Sequence, residues 1–438
     1  MLQRAMTFAG ALAALATLSS SGFAQDTAQV RAATIIHAGR LLADASTGRI
    51  LTEQSILVGA DGNIIAIQPG YVTQDGVPVV DQRNRFVLPG LIDSHVHLTS
   101  ELGPDQIIEE VTLTASDAAL RGAENARITL MAGFTTVADL GANNDAIFAL
   151  RRAIAERRVP GPRIIAAGSA VTPDGGHADA NGFAPDVLNV LRSPSACSGA
   201  DACRRAVRRQ IQAGADIIKI TATGGVLSNT AAGVEQQFSD AELQAIVEAA
   251  HAMGRRVTAH AHGAGGINAA LRAGVDSIEH GSYTDAESLR LFRQHHAYLI
   301  PTILAGVTVE ELADRGGVLT PNQAAKAREV GTRMRQSILN ARRAGVRVAF
   351  GTDSGVSQHG INAREFQFLV EGGYTPMQAI AIATVNAADH LQLNNVAGRI
   401  APGMAADIIG VDGDPTQDVT TLMNVPFVMA RGTIAKND

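Results

Sequence analysis

The sequence predicts an α/β chain: a (β/α)8 TIM barrel with a small β-sandwich domain formed from both chain ends. Three observations predict it. Between residues 88 and 397, apolar, β-branched runs alternate with helical segments in repeated strand-then-helix units. The flanks, 25–87 and 398–438, have a texture of short strands and turns, and neither alone holds enough strands to bury a face. No GxGxxG or GxxxxGK(S/T) loop follows the first strand, which argues against an open doubly wound sheet.

The elements follow in order. Residues 1–24 read as a secretory signal. Arg4 precedes an apolar run that is short of the roughly 20 residues needed to span a bilayer, and a small-residue site lies near Gly22-Phe23-Ala24. The expected protein is therefore exported, periplasmic or secreted, with a mature chain beginning near Gln25 and no membrane attachment after cleavage. TIIHAGRLL, QSILVGADGNIIAI and VPVVDQRNRFVL then read as strands broken by turns such as Asp61-Gly62. The barrel strands are VLPGLIDSHV, FTTVADL, PRIIAAG, ADIIKIT, RVTAHAH, VDSIEH, AYLIPTIL and VRVAFGTD. Capping boxes are expected at Ser239 with Glu242 and at Thr284 with Glu287. Ala-Gly pairs at Gly133, Gly214, Gly274 and Gly345 are expected to close helices in the left-handed conformation. After the barrel, GRIAPGMAADIIGVDGDP and VPFVMARGTIA return to strand-and-turn texture.

Composition limits the partners. Hydrophobic residues are 46% and charged residues 18%, enough material for a large core. The formal charge is −6 with no long basic block, so no nucleic acid is expected as a partner. Cys197 and Cys203 lack the companion ligands of a zinc site. In an exported chain, a local disulfide is the expectation over two free thiols.

In a barrel of this kind, functional groups sit at the C-terminal ends of the strands. His95 and His97 end the first strand, Lys219 lies in the fourth, His260 and His262 end the fifth, His280 the sixth and Asp353 the eighth. Alternation sends residues i and i+2 to one face, so His95 and His97 point into the barrel mouth together. Neutral imidazoles converging with a carboxylate are a transition-metal donor set. A single histidine at a strand end is ordinarily a hydrogen-bonded structural residue, and Asp353 alone could cap a loop. It is their joint placement that points to metal. Lys219, flanked by isoleucines, is costly as a bare ammonium. It could form a salt bridge, act as a Schiff-base nucleophile, or react with CO2 to give a carbamate, an anion with two oxygens able to bridge two metal ions. Beside the histidines and Asp353 the bridging carbamate fits best.

These motifs resemble the amidohydrolase superfamily of metal-dependent hydrolases: His-X-His after PGLID, IKI with its lysine, AHAHG, SIEHG, FGTDSG and PGMAADII. The resemblance covers essentially the whole mature chain. Within the superfamily the sequence is most similar to the exported Xaa-Pro dipeptidase group, which includes ochratoxin-degrading amidohydrolases, and TPDGGHAD and TATGGVLSN also resemble that group. The resemblance implies two divalent metal ions, Zn2+ by preference. His95, His97 and Asp353 would hold one and His260 and His280 the other, with carboxylated Lys219 between. His260 is preferred to His262 because its offset to the histidine of SIEHG matches the family spacing, although alternation alone permits either. A large homo-oligomer is implied as well. His177 resembles a substrate-contacting position, but Ala178 stands where related sequences often read GGHG. His296 is a candidate for contacting a substrate carbonyl or carboxylate, or is simply a helix-end cation. Ser228 and Tyr283 are loop candidates for substrate binding.

The activity so implied is hydrolysis of an amide bond in dipeptides or N-acyl amino acids with a free C-terminal carboxylate, ochratoxin-type amides included. A metal-bridging hydroxide attacks the carbonyl, and Asp353 shuttles a proton to the leaving amine. An imidazolonepropionase-like cyclic amide hydrolase or a deaminase is the alternative. Many of those lack the strand-four lysine and carry a glutamate near strand five, and RRVTAHAHG has none. A non-catalytic periplasmic binding protein is the third reading, against which Asp353 in a base position argues.

Overall fold

Both chain ends build one sheet. The computed structural model describes residues 31–228 and 233–438, and the expected signal lies outside the described residues. Seven strands run in the order Thr433–Asn437, Phe427–Ala430, Ile408–Val411, Val79–Pro89, Thr34–Leu42, Ile50–Val58, Ile64–Pro69. The C-terminal strands join through Ile408–Val411, which lies antiparallel to Val79–Pro89. The far edge folds back, with Asn63 bridging to Ala405 and Ile64 N donating to Met404 O at 2.8 Å. The sheet thus wraps a core of Ile36, Ile56, Val87, Ile408 and Phe427, the alternate residues that a half-buried strand presents.

Val79–Pro89 leads directly into the first barrel strand, Leu91–Val96, across Gly90. A Cβ at Gly90 would lie 2.8 Å from the Cβ of Thr135, so the junction has no room for one. Phe134–Asp139 and Arg163–Ala166 pair parallel with the first strand in one arc. Ile218–Thr221, Val257–Ala261, Ser277–His280, Tyr298–Ile300 and Arg347–Val348 form the other. Asp216 N to Ala166 O (2.8 Å) and a Val171–Ile220 bridge join the third strand to the fourth. Ser94 N to Phe350 O (2.8 Å) and Asp353 N to His95 O (2.7 Å) join the eighth to the first, so the ring is closed.

Local signals set most helix ends. Ser239 and Glu242 make the expected reciprocal cap of Asp240–His251. Gly133, Gly214, Gly274 and Gly345 all take positive φ. Cys197 and Cys203 are disulfide-bonded. Two expectations need correction. Helix Ala286–His295 is capped by Asp285 with Ser288, not by Thr284 with Glu287: the Asp285 carboxylate accepts Ser288 N, and Thr284 turns its hydroxyl to Ser337. The last two strands are shorter than their apolar runs: strand pairing stops at Ile300 and Val348, and Thr302 (φ 47) and Asp353 (φ 58) turn left-handed where extended chain was expected.

Asp93 staples the closure of the ring. Fully buried, it accepts hydrogen bonds from His95 N (3.1 Å), Thr352 N (3.1 Å), Thr352 Oγ1 (2.6 Å) and Asn362 Nδ2 (2.8 Å). Asp93→Ala strands several donors, each costing roughly 1–3 kcal/mol when unpaired. Urea unfolding is expected to show a loss of about 3 kcal/mol or more, and a change under 1 kcal/mol would refute the stapling role.

Candidate metal centre

Seven side chains from five strands meet at the C-terminal mouth of the barrel. His95, His97 and Asp353 form one group and His260, His262 and His280 another, with the donor atoms in each within 4.8 Å of one another. The rings of His95 and His280 are 5.3 Å apart, so the groups adjoin. Lys219 Nζ lies 3.3 Å from His95 Nε2. The structure thus brings together every residue expected as a ligand, and it adds His262, whose ring is 4.7 Å from that of His260.

Each ring is oriented through one nitrogen. His95 Nδ1 lies 2.7 Å from Glu279 Oε2. His97 Nδ1 donates to Gly141 O at 2.9 Å. His280 Nδ1 meets Thr302 Oγ1 at 2.6 Å, His262 Nδ1 meets Ser282 Oγ at 2.7 Å, and His260 Nε2 lies 3.3 Å from Gly224 O. These contacts hold the rings in place and leave the other nitrogen of each ring for the site, as the outer shell of a metal centre does.

The first group tests whether a cation fits. Asp353 Oδ1 lies 3.1 Å from His97 Nε2 and 3.4 Å from His95 Nε2, and no aligned hydrogen bond reaches it. His97 Nδ1 is engaged by Gly141 O and His95 Nδ1 lies beside Glu279, so the Nε2 atoms of both rings face a carboxylate oxygen. A proton or a metal cation between them relieves that. Burial disfavours a charged His97, yet the close approach and charge of Asp353 raise its affinity for a proton. Burial likewise opposes ionised Asp353, but the imidazoles of His95 and His97 hold its carboxyl well below the usual range. In the second group burial, and then neighbouring imidazoles, push His260 and His280 well below the ordinary value, so they stay neutral. Burial also lowers the Lys219 amine, with Glu279 and Asp353 pulling the other way. Neutral imidazoles with a carboxylate and a buried amine are a donor set that fits divalent transition metals.

A cavity of about 480 Å³ opens over both groups. His177 and Ser228 line it. The ring of His177 sits 4.2 Å from that of His260, and burial pushes its pKa down to about 4. Tyr283 is not in the lining: its hydroxyl donates to Glu329 at 2.7 Å and its ring packs beside Val226, Val330 and Met334. His296 requires correction. It is exposed at the left-handed C-cap of Ala286–His295, before Tyr298–Ile300, and so at the opposite end of the barrel from the cavity.

Several residues that shape the site escape a sequence reading. Glu279, fully buried in strand six, holds His95. The argument that singles out Lys219, a charge within an apolar strand, extends to it, with Ile278 on one side and His280 on the other. Asp139 accepts Leu98 N at 2.7 Å and Gly141 N at 3.3 Å, supporting the segments on both sides of His97. Thr302 orients His280 from a left-handed conformation that its sequence does not announce.

With this geometry established, comparison with known proteins is informative. Residues 86–435 match the model of the amidohydrolase family, and the chain belongs to that family. It is 34% identical to the ochratoxinase of Aspergillus niger over 356 residues, 76% of this chain and 71% of that one. A crystal structure of a Xaa-Pro dipeptidase with methionine bound in its active site superposes with a TM-score of 0.86 at 37% identity, covering 92% of this chain and 99% of that one. A prolidase complexed with N-methylphosphonate-L-proline gives a TM-score of 0.83 at 30% identity, covering 92% of this chain and all of that one. The barrel with its sandwich and the general activity, amide hydrolysis, follow from this membership.

Glu365 supports the mouth from outside. Its buried carboxylate accepts Ile303 N (2.9 Å) and Leu304 N (2.7 Å), pinning the start of Ile303–Arg315 beside Thr302. Burial outweighs those bonds and pushes its pKa from 4.5 to about 8. The folded state therefore holds the proton more tightly, so the stability contributed by protonated Glu365 is full below pH 4.5 and is lost as pH rises to about 8. Compared with Glu365→Gln, the wild type is expected to lose on the order of a few kcal/mol across that window in denaturant titrations. Parallel curves for the two proteins would refute the assignment.

Proposed function

We propose that this chain is a binuclear metal-dependent hydrolase that cleaves dipeptides or N-acyl amino acids bearing a free C-terminal carboxylate. The observation that carries the reading is the adjoining of two donor groups, His95/His97/Asp353 and His260/His262/His280, with Lys219 buried beside them. The amino acid and the proline phosphonate bound by the two structural neighbours support a substrate of this kind.

His95, His97 and Asp353 would hold one ion, His260 and His280 the other, with Zn2+ favoured by donor type. Divalent cations there would polarise a carbonyl and lower the pKa of water. Lys219 has a task of its own. Burial lowers the proton affinity of its amine, and the unprotonated amine can form an N–C bond to CO2 and lose a proton, giving an anion in place of a group that is costly to bury as a cation. Asp353 would take the proton of the attacking water at a carboxylate oxygen and pass it to the nitrogen of the departing amine. His262 stands in the same pocket with its Nδ1 tied to Ser282, so its Nε2 faces the reacting groups as a neutral acceptor or donor.

The test is release of amino acid by zinc-loaded protein from a panel of dipeptides and N-acyl amino acids, with adenine as the deaminase arm. Asp353→Asn is expected to lower kcat on the order of 10²–10⁴-fold. Lys219→Ala is expected to lose bound metal, measured by plasma mass spectrometry, together with activity. An active Lys219→Ala protein with full metal occupancy would overturn the bridging role. Ammonia from adenine without amino acid from the panel would favour a deaminase.

A further inference from the structure

A second cavity, of about 540 Å³, opens at the other end of the barrel. Tyr298 and Arg347, the first residues of strands seven and eight, line it, whereas the metal centre sits where the strands end. The rest of the wall comes from Arg342 near the end of helix Pro321–Ala344, from Tyr374 and Gln378, and from a π-helical turn, Ile382–Asn386. That turn is pinned to strand eight and the residues after it: Asn386 Nδ2 donates to Val348 O (2.9 Å) and Phe350 N to Ile382 O (3.2 Å). Turns of this kind are rare and recur at functional sites.

The lining holds two arginines and no carboxylate. Arg347 is accounted for: it stacks 4.1 Å over the Tyr298 ring and pairs with Asp389, which stands behind the wall. Arg342 is not. Its guanidinium lies 5.9 Å from the centre of the Tyr374 ring, and it has no carboxylate partner among the described residues. Gln378 Oε1 accepts Thr375 N (2.9 Å), so the amide nitrogen, which can only donate, is left over. The Tyr374 hydroxyl is shielded from bulk water yet has no hydrogen-bond partner. Burial pushes its pKa up to about 12, against the pull of the Arg342 charge, so it stays a neutral O–H donor.

A cation at a helix C-terminus is ordinarily placed there by the helix dipole, and Arg343 fits that account as well. The dipole explains neither a cavity without carboxylates around Arg342 nor the unpaired hydroxyl beside it. A polar group out of water costs free energy until a partner reaches it. An oxyanion offers acceptors to all three donors and balances the Arg342 charge, and a guanidinium receives carboxylate and phosphoryl oxygens alike. Val346, Val348 and Ile382 give the rest of the lining an apolar character, and the cavity far exceeds the roughly 30 Å³ of a water molecule, so it has room for an organic body.

We propose that this cavity binds a small organic oxyanion, its charged group held by Arg342, the Tyr374 hydroxyl and the Gln378 amide, and its apolar body against Val346, Val348 and Ile382. The site stands at the far end of the barrel from the metal centre and does not rest on the hydrolase reading.

The test is calorimetric titration of the zinc-loaded protein with phenyl phosphate, benzoate and benzyl alcohol, which share a ring and differ in charge. A metal centre can take an oxyanion too, so the reading is the difference between wild type and variants of the second cavity. Arg342→Met is expected to weaken the tighter of the two anions about tenfold at this site, a step of about 1.4 kcal/mol, and Tyr374→Phe to weaken it about threefold. Arg342→Lys is expected to retain most of the affinity, and benzyl alcohol to bind at least about tenfold more weakly than that anion. Tighter phenyl phosphate assigns the site to a phosphoryl group, and tighter benzoate to a carboxylate. Crystals soaked with 4-bromobenzoate are expected to show bromine anomalous scattering beside Arg342. Superposable isotherms for wild type and Arg342→Met, or benzyl alcohol binding as tightly as both anions, would overturn the proposal. If Arg342→Met does not fold, Tyr374→Phe decides: anion binding identical to wild type would overturn it equally.

Discussion

Ionisable groups held out of water at the mouth of the barrel are the constraint around which the rest of the fold is arranged. Lys219, Glu279 and Asp353 are all buried, within a nest of imidazoles that are buried or nearly so. An isolated charge in such a place costs several kcal/mol, and a single missing partner leaves that cost exposed. The groups offset one another only because strands distant in sequence deliver them to one point. Closing the ring through Asp93 and the backbone of Ser94, His95 and Phe350 is therefore part of the electrostatics as well as of the architecture.

How much of this is legible in the sequence depends on whether a side chain follows its strand. His95 and His97 obey alternation, and Lys219 betrays itself by its isoleucine neighbours, so a sequence reading reaches all three. His280 does not obey it. Ser277 and Glu279 face one way along strand six, and alternation would send His280 the other way. A φ of 69 at His280 turns it into the site beside them. Asp353 and Thr302 make the same left-handed departure. Such strained residues gather at functional sites, and no local pattern in the sequence marks them. Their places at the ends of strands six and eight point to His280 and Asp353, while Thr302 and Glu279 escape that reading.

The cavity wall fails to show for a different reason. Val309 and Met334 lie on separate helices, Ile303–Arg315 and Pro321–Ala344, and meet beside Gly306, where a Cβ would come within 2.8 Å of Met334 Sδ. Both helices show ordinary amphipathic spacing, so periodicity predicts that one face is buried but not that a substrate cavity lies against it. His296 and Tyr283 illustrate the opposite error. Each stands near a strand that carries a ligand or lines the ring, and proximity in sequence suggested a role that direction denies: His296 precedes its strand, and Tyr283 turns outward to Glu329.

Strand six also joins the two donor groups mechanically. Glu279 holds His95, which belongs to the first group, and the next residue, His280, belongs to the second. Thr258 and Ser277 both hydrogen-bond to Glu279, so its carboxylate is fixed from strands five and six alike. A shift of strand six would displace a member of the second group and the support of the first together. Side chains in a close-packed interior do not adjust independently, so the two groups share one rigid origin even though the first draws on the ends of strands one and eight and the second on the ends of strands five and six. The separation of the two donor groups is thus tied to the backbone at 279–280, and Lys219 reaches the site from strand four, on the other side of strand five from strand six.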